Sequence, residues 1–196
     1  MSRHYVVLAL AVWWLTGCAA APPASYYQLL VEGSMDAAPQ SLRLDPRAAV
    51  GLWPVTLPDA LDRPDVVSFS GTTALISGRH QWAGSLSDNI GRQLALGLQR
   101  RTGEVVWRYP WDEGARPQRQ LRIRILYFGG ALGGPVRLRA QWVLASRDST
   151  VDPRAGEINL TQPVAEAPAS HEGYVGALSR LVDQLAETLA AEMQLP

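Results

Sequence analysis

The sequence predicts an α/β domain in which a β-sheet packs against two long amphipathic helices. Three observations predict it. Leu86, Ile90, Leu94 and Leu98 recur every four residues, and Tyr174, Leu178, Leu181, Val182, Leu185, Leu189 and Met193 form a second apolar stripe at helical spacing. Between those two stretches, Leu121, Ile123, Ile125 and Tyr127 alternate with polar residues, as do Val136, Leu138, Ala140 and Trp142, which is the period-two pattern of half-buried strands.

The chain opens on a secretory signal. Arg3 supplies a positive start, Tyr5 to Leu15 an apolar run, and Leu15-Thr16-Gly17-Cys18 a lipobox. Roughly a dozen apolar residues are too few for a spanning helix, which needs about 20. The leucine, small, small, cysteine pattern is that of bacterial lipoproteins, in which the thiol receives diacylglycerol before the peptide is cut ahead of it. Residues 1–17 are therefore expected to leave, with Cys18 lipidated as the first mature residue. It is the one cysteine in the chain, so no disulfide can form within it. Two or three acyl chains, at about 0.8 kcal/mol per buried methylene, make a durable anchor. Ala19 stands where an aspartate would favour the inner membrane, which points to the outer membrane and a periplasm-facing domain.

Residues 18–25 form a lipidated tether containing Pro22-Pro23. The seven residues after Cys18 reach some 20 Å in extended polyproline form, so the domain, residues 26–196, is expected to sit close to its membrane. Tyr26 to Val31 reads as a first strand. Ala48 to Leu57 is apolar at both alternating sets until Pro54, as in a strand buried on both faces at the centre of a sheet. Pro58 to Asp65 holds two prolines and four charges, which exclude regular structure. Val66 to Phe69 and Thr72 to Ile76 flank Ser70-Gly71 as a small hairpin.

Ser85 with Asp88 three residues on makes a capping box, so the first helix starts there. Arg100 and Arg101 suit its C-terminal dipole and Gly103 stops it. Glu104 to Tyr109 alternates as a strand. The strands around Leu121 to Tyr127 and Val136 to Trp142 are joined through Gly129-Gly130 and Gly133-Gly134, and antiparallel pairing would put Arg122, Arg124, Arg137 and Arg139 on one face of the sheet. That face should be wet or lined by acids, because desolvating unpaired charges costs several kcal/mol. Gly156 to Gln162 is a last strand. A helix of about 24 residues, capped by Ser170 with Glu172 in its first turn, closes the chain.

Composition narrows the chemistry. The sequence carries 18 basic residues, all arginine, and 18 acidic ones; loss of Arg3 with the signal leaves 17 against 18, a net charge of −1. Nucleic acid is thus not an expected partner. Removing 17 of 196 residues leaves 179, the size of one domain. Only His80 and His171 remain after cleavage, and no HExxH, GxSxG, CxxC or Gly-rich phosphate loop occurs, so no catalytic residue, metal site or cofactor is expected. Trp53, Trp82, Trp107, Trp111 and Trp142 are expected as core and corner residues, and His80 as a hydrogen-bonded structural histidine.

At Pro54-Val55-Thr56-Leu57-Pro58, Leu61-Asp62-Arg63-Pro64, Arg79-His80-Gln81-Trp82-Ala83 and Tyr109-Pro110-Trp111, the chain resembles the PqiC family of transport auxiliary lipoproteins. The order and spacing match over nearly the whole mature chain, from Tyr26-Tyr27-x-Leu29 to the closing helix. The resemblance implies a mixed-sheet α/β fold like an anticodon-binding domain. It also implies an outer-membrane lipoprotein that works with an MCE-domain periplasmic protein and inner-membrane components to move lipids between membranes. Ala60 and Gly84 depart from the family's usual bulky residue and glutamate. Asp62 and Arg63 of the loop, with Arg122, Arg124, Arg137 and Arg139, are the candidate partner-binding residues. A conduit ending at a membrane would favour a homo-oligomeric ring, though nothing in the sequence encodes a symmetry. The competing reading is a structural envelope lipoprotein bound to peptidoglycan or to another envelope protein; an enzyme on envelope material would need a nucleophile and base that the chain does not offer.

Overall fold

The computed structural model describes residues 23–30, 49–111, 116–163 and 169–194. Among them lie strands β1 (Ser25–Tyr27), β2 (Val50–Leu52), β3 (Asp65–Ser70), β4 (Thr73–Trp82), β5 (Val106–Arg108), β6 (Arg119–Gly130), β7 (Val136–Ser146) and β8 (Arg154–Gln162), with helices α1 (Leu86–Thr102) and α2 (His171–Gln194). The signal, Cys18, Val31 and Ala48 lie outside the described residues.

The helices begin and end where their caps dictate. Ser85 Oγ accepts from the Asp88 amide at 3.1 Å, and Gly103, in left-handed conformation, closes α1 by donating to the Gln99 carbonyl at 2.9 Å. At the start of α2, Ser170 Oγ accepts from the Gly173 amide at 2.9 Å. The whole apolar stripe of α2, from Tyr174 to Met193, is buried. The helices pack on each other so closely that a Cβ at Gly97 would lie 2.7 Å from that of Ala186. Arg101 and Arg100 at the end of α1 reach Asp183 of α2 at 2.8 and 3.6 Å.

The strands are mixed, as the resemblance implies, but they divide between two sheets. The larger has the order β5-β2-β6-β7-β8 and the smaller β1-β4-β3. In the larger sheet β2 lies between β5 and β6 and runs parallel to both, while β6, β7 and β8 pair antiparallel. Val50 and Leu52 are buried, which is the interior position expected of the doubly apolar run. Pairing continues past Pro54, since the Thr56 amide donates to the Ile123 carbonyl at 3.1 Å.

Leu121, Ile123 and Ile125 of β6 and Val136, Leu138, Ala140 and Trp142 of β7 share one core with the apolar stripes of α1 and α2. Tyr127 does not join them. A register shift between Ile125 and Tyr127 inserts an extra residue, so that Phe128 pairs with Leu138 in the core and Tyr127 pairs with Arg139 on the other face. The smaller sheet also departs from expectation. β4 runs on to Trp82 because His80, Gln81 and Trp82 pair in parallel with Ser25, Tyr26 and Tyr27, a partnership some 55 residues distant that local alternation does not announce.

Tyr174 ties the two sheets. Its hydroxyl donates to the Val67 carbonyl of β3 at 2.9 Å and accepts from the Gly130 amide of β6 at 3.2 Å. Burial pushes this hydroxyl's pKa up, which keeps the proton on the oxygen that must donate it.

Candidate functional site

Alternation along β6 and β7 places Arg122, Arg124, Arg137 and Arg139 on the solvent face of the larger sheet, and all four are exposed. The register keeps them from facing one another directly. Arg122 lies opposite Val143, Arg124 opposite Gln141, Arg139 between Tyr127 and Asn159, and Arg137 between Gly129 and Thr161. Like charges are thus offset, which lowers their repulsion without any need for burial.

Their partners differ. Arg139 Nε donates to Glu157 Oε1 at 2.7 Å, and Gln141 donates to the other oxygen of the same carboxylate at 3.3 Å. The Arg139 hydrogen bond, then that of Gln141, holds the Glu157 carboxyl below its ordinary range, and the Glu157 hydrogen bond and charge push Arg139 up. This exposed pair is worth little to stability. Arg122 instead sits with its guanidinium carbon 5.1 Å from the centre of the Trp53 ring, a cation–π contact. Among the described residues, Arg124 and Arg137 form no ion pair, and both are exposed.

Beside Arg122 stands an aromatic cluster. Trp53 stacks on Tyr109 with ring centres 4.8 Å apart, and Trp111 meets both edge-on at 5.3 Å. The Tyr109 amide donates to the Leu52 carbonyl, and Trp53 Nε1 donates to Gln120 Oε1 at 3.0 Å, so both rings are fixed to the sheet by their own backbone or side chain. Trp82 and Trp142 are buried, as expected of core residues, whereas Trp53 and Trp111 are half-buried and Trp107 is 38% exposed. The reason is position: β5 is an edge strand, and the Trp111 ring lies over Gly51 of β2, where a Cβ would come within 3.0 Å of it. Trp53, Thr56, Arg122, Arg124, Gln141 and Val143 line a shallow groove of about 450 Å³. The sequence signal for it was Trp53-Pro54 and Tyr109-Pro110-Trp111, aromatic residues beside prolines that end strands.

The loop between β2 and β3 lies elsewhere. Backbone hydrogen bonds from Leu61 to Pro58 at 2.8 Å and from Arg63 to the Leu61 carbonyl at 2.9 Å shape it, and Leu61 is buried as its anchor. Asp62 is exposed; Arg63 is half-buried, and its Nε has no hydrogen-bond partner among the described residues. Asp62, Arg63, Pro64, Trp82, Gly84 and Ser85 line a second, smaller depression. Gly84 has φ of 99°, a conformation a glutamate there would resist. The structure therefore does not bring Asp62 and Arg63 into the groove that contains Arg122 and Arg124.

His80 accepts from or donates to the Tyr27 hydroxyl at 2.8 Å and stacks on His171 with ring centres 3.7 Å apart and planes within 5°. Burial, then the neighbouring His80, lowers the pKa of His171. No group of three His, Cys, Asp or Glu side chains among the described residues is placed to hold a metal ion, and no described helix is long and apolar enough to cross a membrane.

The fold has relatives of known structure. An uncharacterized protein matches with a TM-score of 0.70 at 22% identity, covering 88% of this chain and 100% of its own. A protein from Xanthomonas campestris matches with a TM-score of 0.62 at 12% identity, covering 78% and 91%. No curated protein sequence gives a significant match. The model of the ABC-type transport auxiliary lipoprotein component family matches residues 27–190, a span that takes in nearly all of both sheets and both helices and the whole arginine face, and the chain belongs to that family.

Proposed function

We propose that the chain is an outer-membrane lipoprotein, anchored through Cys18 and facing the periplasm, that serves as a docking and assembly subunit of an MCE-type intermembrane lipid transport system. Its role is to bind and to position, with no catalytic step. The observation that carries this reading is the solvent face of the larger sheet. Four arginines, only one of them in an ion pair among the described residues, stand beside a fixed aromatic cluster and a shallow groove. Planar guanidinium forks recognise carboxylates or phosphates in two-point contacts, and aromatic rings are the residue type enriched at interface centres. An acidic segment of the MCE-domain protein fits that chemistry. Asp62 and Arg63, on a separate loop, form a second and smaller contact in the same assembly.

Two experiments test the proposal. Affinity purification of the lipidated chain from membranes should recover the MCE-domain protein and its inner-membrane components; recovery on isolated peptidoglycan instead would support a structural envelope role. Cys18→Ser should leave an unprocessed or soluble precursor whose domain still folds, read by membrane fractionation and circular dichroism. A processed serine variant in the outer-membrane fraction would remove the anchor from the proposal.

A further inference from the structure

We propose that the end of the molecule at which the β3–β4 and β6–β7 turns carry no charge rests on the bilayer surface that holds Cys18, with Leu75 and Ile76 entering the lipid headgroup region. The inference rests on the anchor reading above and adds which end of the domain meets the membrane. Its first ground is charge. The thirteen residues from Val66 to Gly78 and the twelve from Ile125 to Val136 contain no charged side chain. The two stretches meet in space, because the Phe69 ring lies over Gly129, where a Cβ would come within 2.8 Å of it. Phe69 pairs with Ala74, and Gly129 with Arg137, so both turns begin within two or three residues of that contact. At the opposite end of β7, the turn into β8 carries Arg147, Asp148 and Asp152.

The second ground is exposure. Leu75 and Ile76 are 49% and 52% exposed although they point to opposite faces of β4, and Leu132 of the β6–β7 turn is 37% exposed. Among the described residues, β4 from Thr73 to Ser77 pairs only with β3, and its other edge is open. An open, neutral, apolar edge is a liability in water unless something covers it.

The third ground names what covers it. β1 enters parallel to β4, with Ser25 opposite His80, so the chain arrives at Ser25 from the Thr73 side. From Cys18 to Ser25 is seven residues, at most about 25 Å. From His80 back to Thr73 along β4 is also seven residues, about 23 Å. A tether that continues the line of β1 would put the bilayer that holds Cys18 on the side to which the hairpin projects, and no farther than the hairpin itself reaches. A second copy of the chain would cover the edge too, but it would not explain why β1 is entered from the side to which the hairpin projects, or why the tether matches the hairpin in length.

The test uses the lipidated full chain in vesicles of phosphatidylethanolamine and phosphatidylglycerol. Ile76→Cys or Val151→Cys, the latter on the β7–β8 turn and 54% exposed, carries an environment-sensitive fluorophore; lipidation blocks Cys18 from the label. The expected result is a blue-shifted probe at position 76 that spin-labelled lipids quench several-fold more than the probe at 151. Leu75→Glu in the same background should reduce that quenching at an unchanged melting temperature. Flotation of the vesicles reads the anchor separately. A chain that does not float and whose Cys18 takes the label defeats the anchor reading and this inference with it. Flotation with a water-like probe at 76 overturns this inference alone, as does a blue shift without lipid quenching, which would assign the edge to a protein.

Discussion

The two faces of the larger sheet are made from the same strands and do opposite things. Leu121, Ile123 and Ile125 of β6 and Val136, Leu138, Ala140 and Trp142 of β7 enter a core shared with α1 and α2, and Arg122, Arg124, Arg137, Arg139, Gln141 and Val143 between them are exposed. On the core face, packing specifies position, and removal of atoms leaves space that the surroundings cannot fill. On the solvent face, Arg122 and Arg124 hold no buried contact whose loss would unfold the chain. The comparison predicts that the two faces separate cleanly under mutation.

The largest effect should come from the core face. Leu178→Ala removes a fully buried side chain of α2 and should cost about 2–5 kcal/mol, read by chemical denaturation. Tyr174→Phe comes next. It leaves the Val67 carbonyl and Gly130 amide without their shared partner and should cost about 1–3 kcal/mol; a neutral result would show that the two sheets do not depend on this tie. At the margin between core and water, His171 has a depressed pKa in the folded chain. The unfolded chain then binds more protons as pH falls through the ordinary histidine range near 6.5, so stability should be full above that range and decline below it. The fall in melting temperature between pH 7 and pH 5 should shrink in His171→Asn. The smallest effect belongs to the solvent face: Arg122→Gln with Arg124→Gln should change stability by no more than about 0.5 kcal/mol.

The same contrast explains what could be read from the sequence. Ser85, Gly103 and Ser170 mark helix ends through hydrogen bonds to neighbours three or four residues away, and the stripes of α1 and α2 repeat locally, so both helices were legible to within a residue. The arginine face was legible because β6 and β7 are consecutive strands whose alternation fixes both partners. What was not legible depends on distant partners. The extension of β4 to Trp82 needs β1, the tie between the two sheets needs Tyr174 to reach both Val67 and Gly130, and the bulge that sends Tyr127 away from the core depends on the pairing with β7. Trp53, Tyr109 and Trp111 gather at the groove because parallel β2 and β5 end side by side, and no local pattern reports that adjacency. Tryptophan's average burial misplaced Trp107 for the same reason, since edge position is a property of the sheet.

The central claim is that the arginine and aromatic face docks an acidic partner, and binding of the MCE-domain protein as a function of salt tests it most directly. Wild type should bind most tightly at low salt and lose affinity as salt rises. Arg122→Gln with Arg124→Gln should weaken binding at low salt by about tenfold or more and flatten the salt dependence, at an unchanged melting temperature. Equal affinity and an equal salt slope for the folded variant and wild type would contradict the claim and leave the face an ordinary solvated side of the sheet.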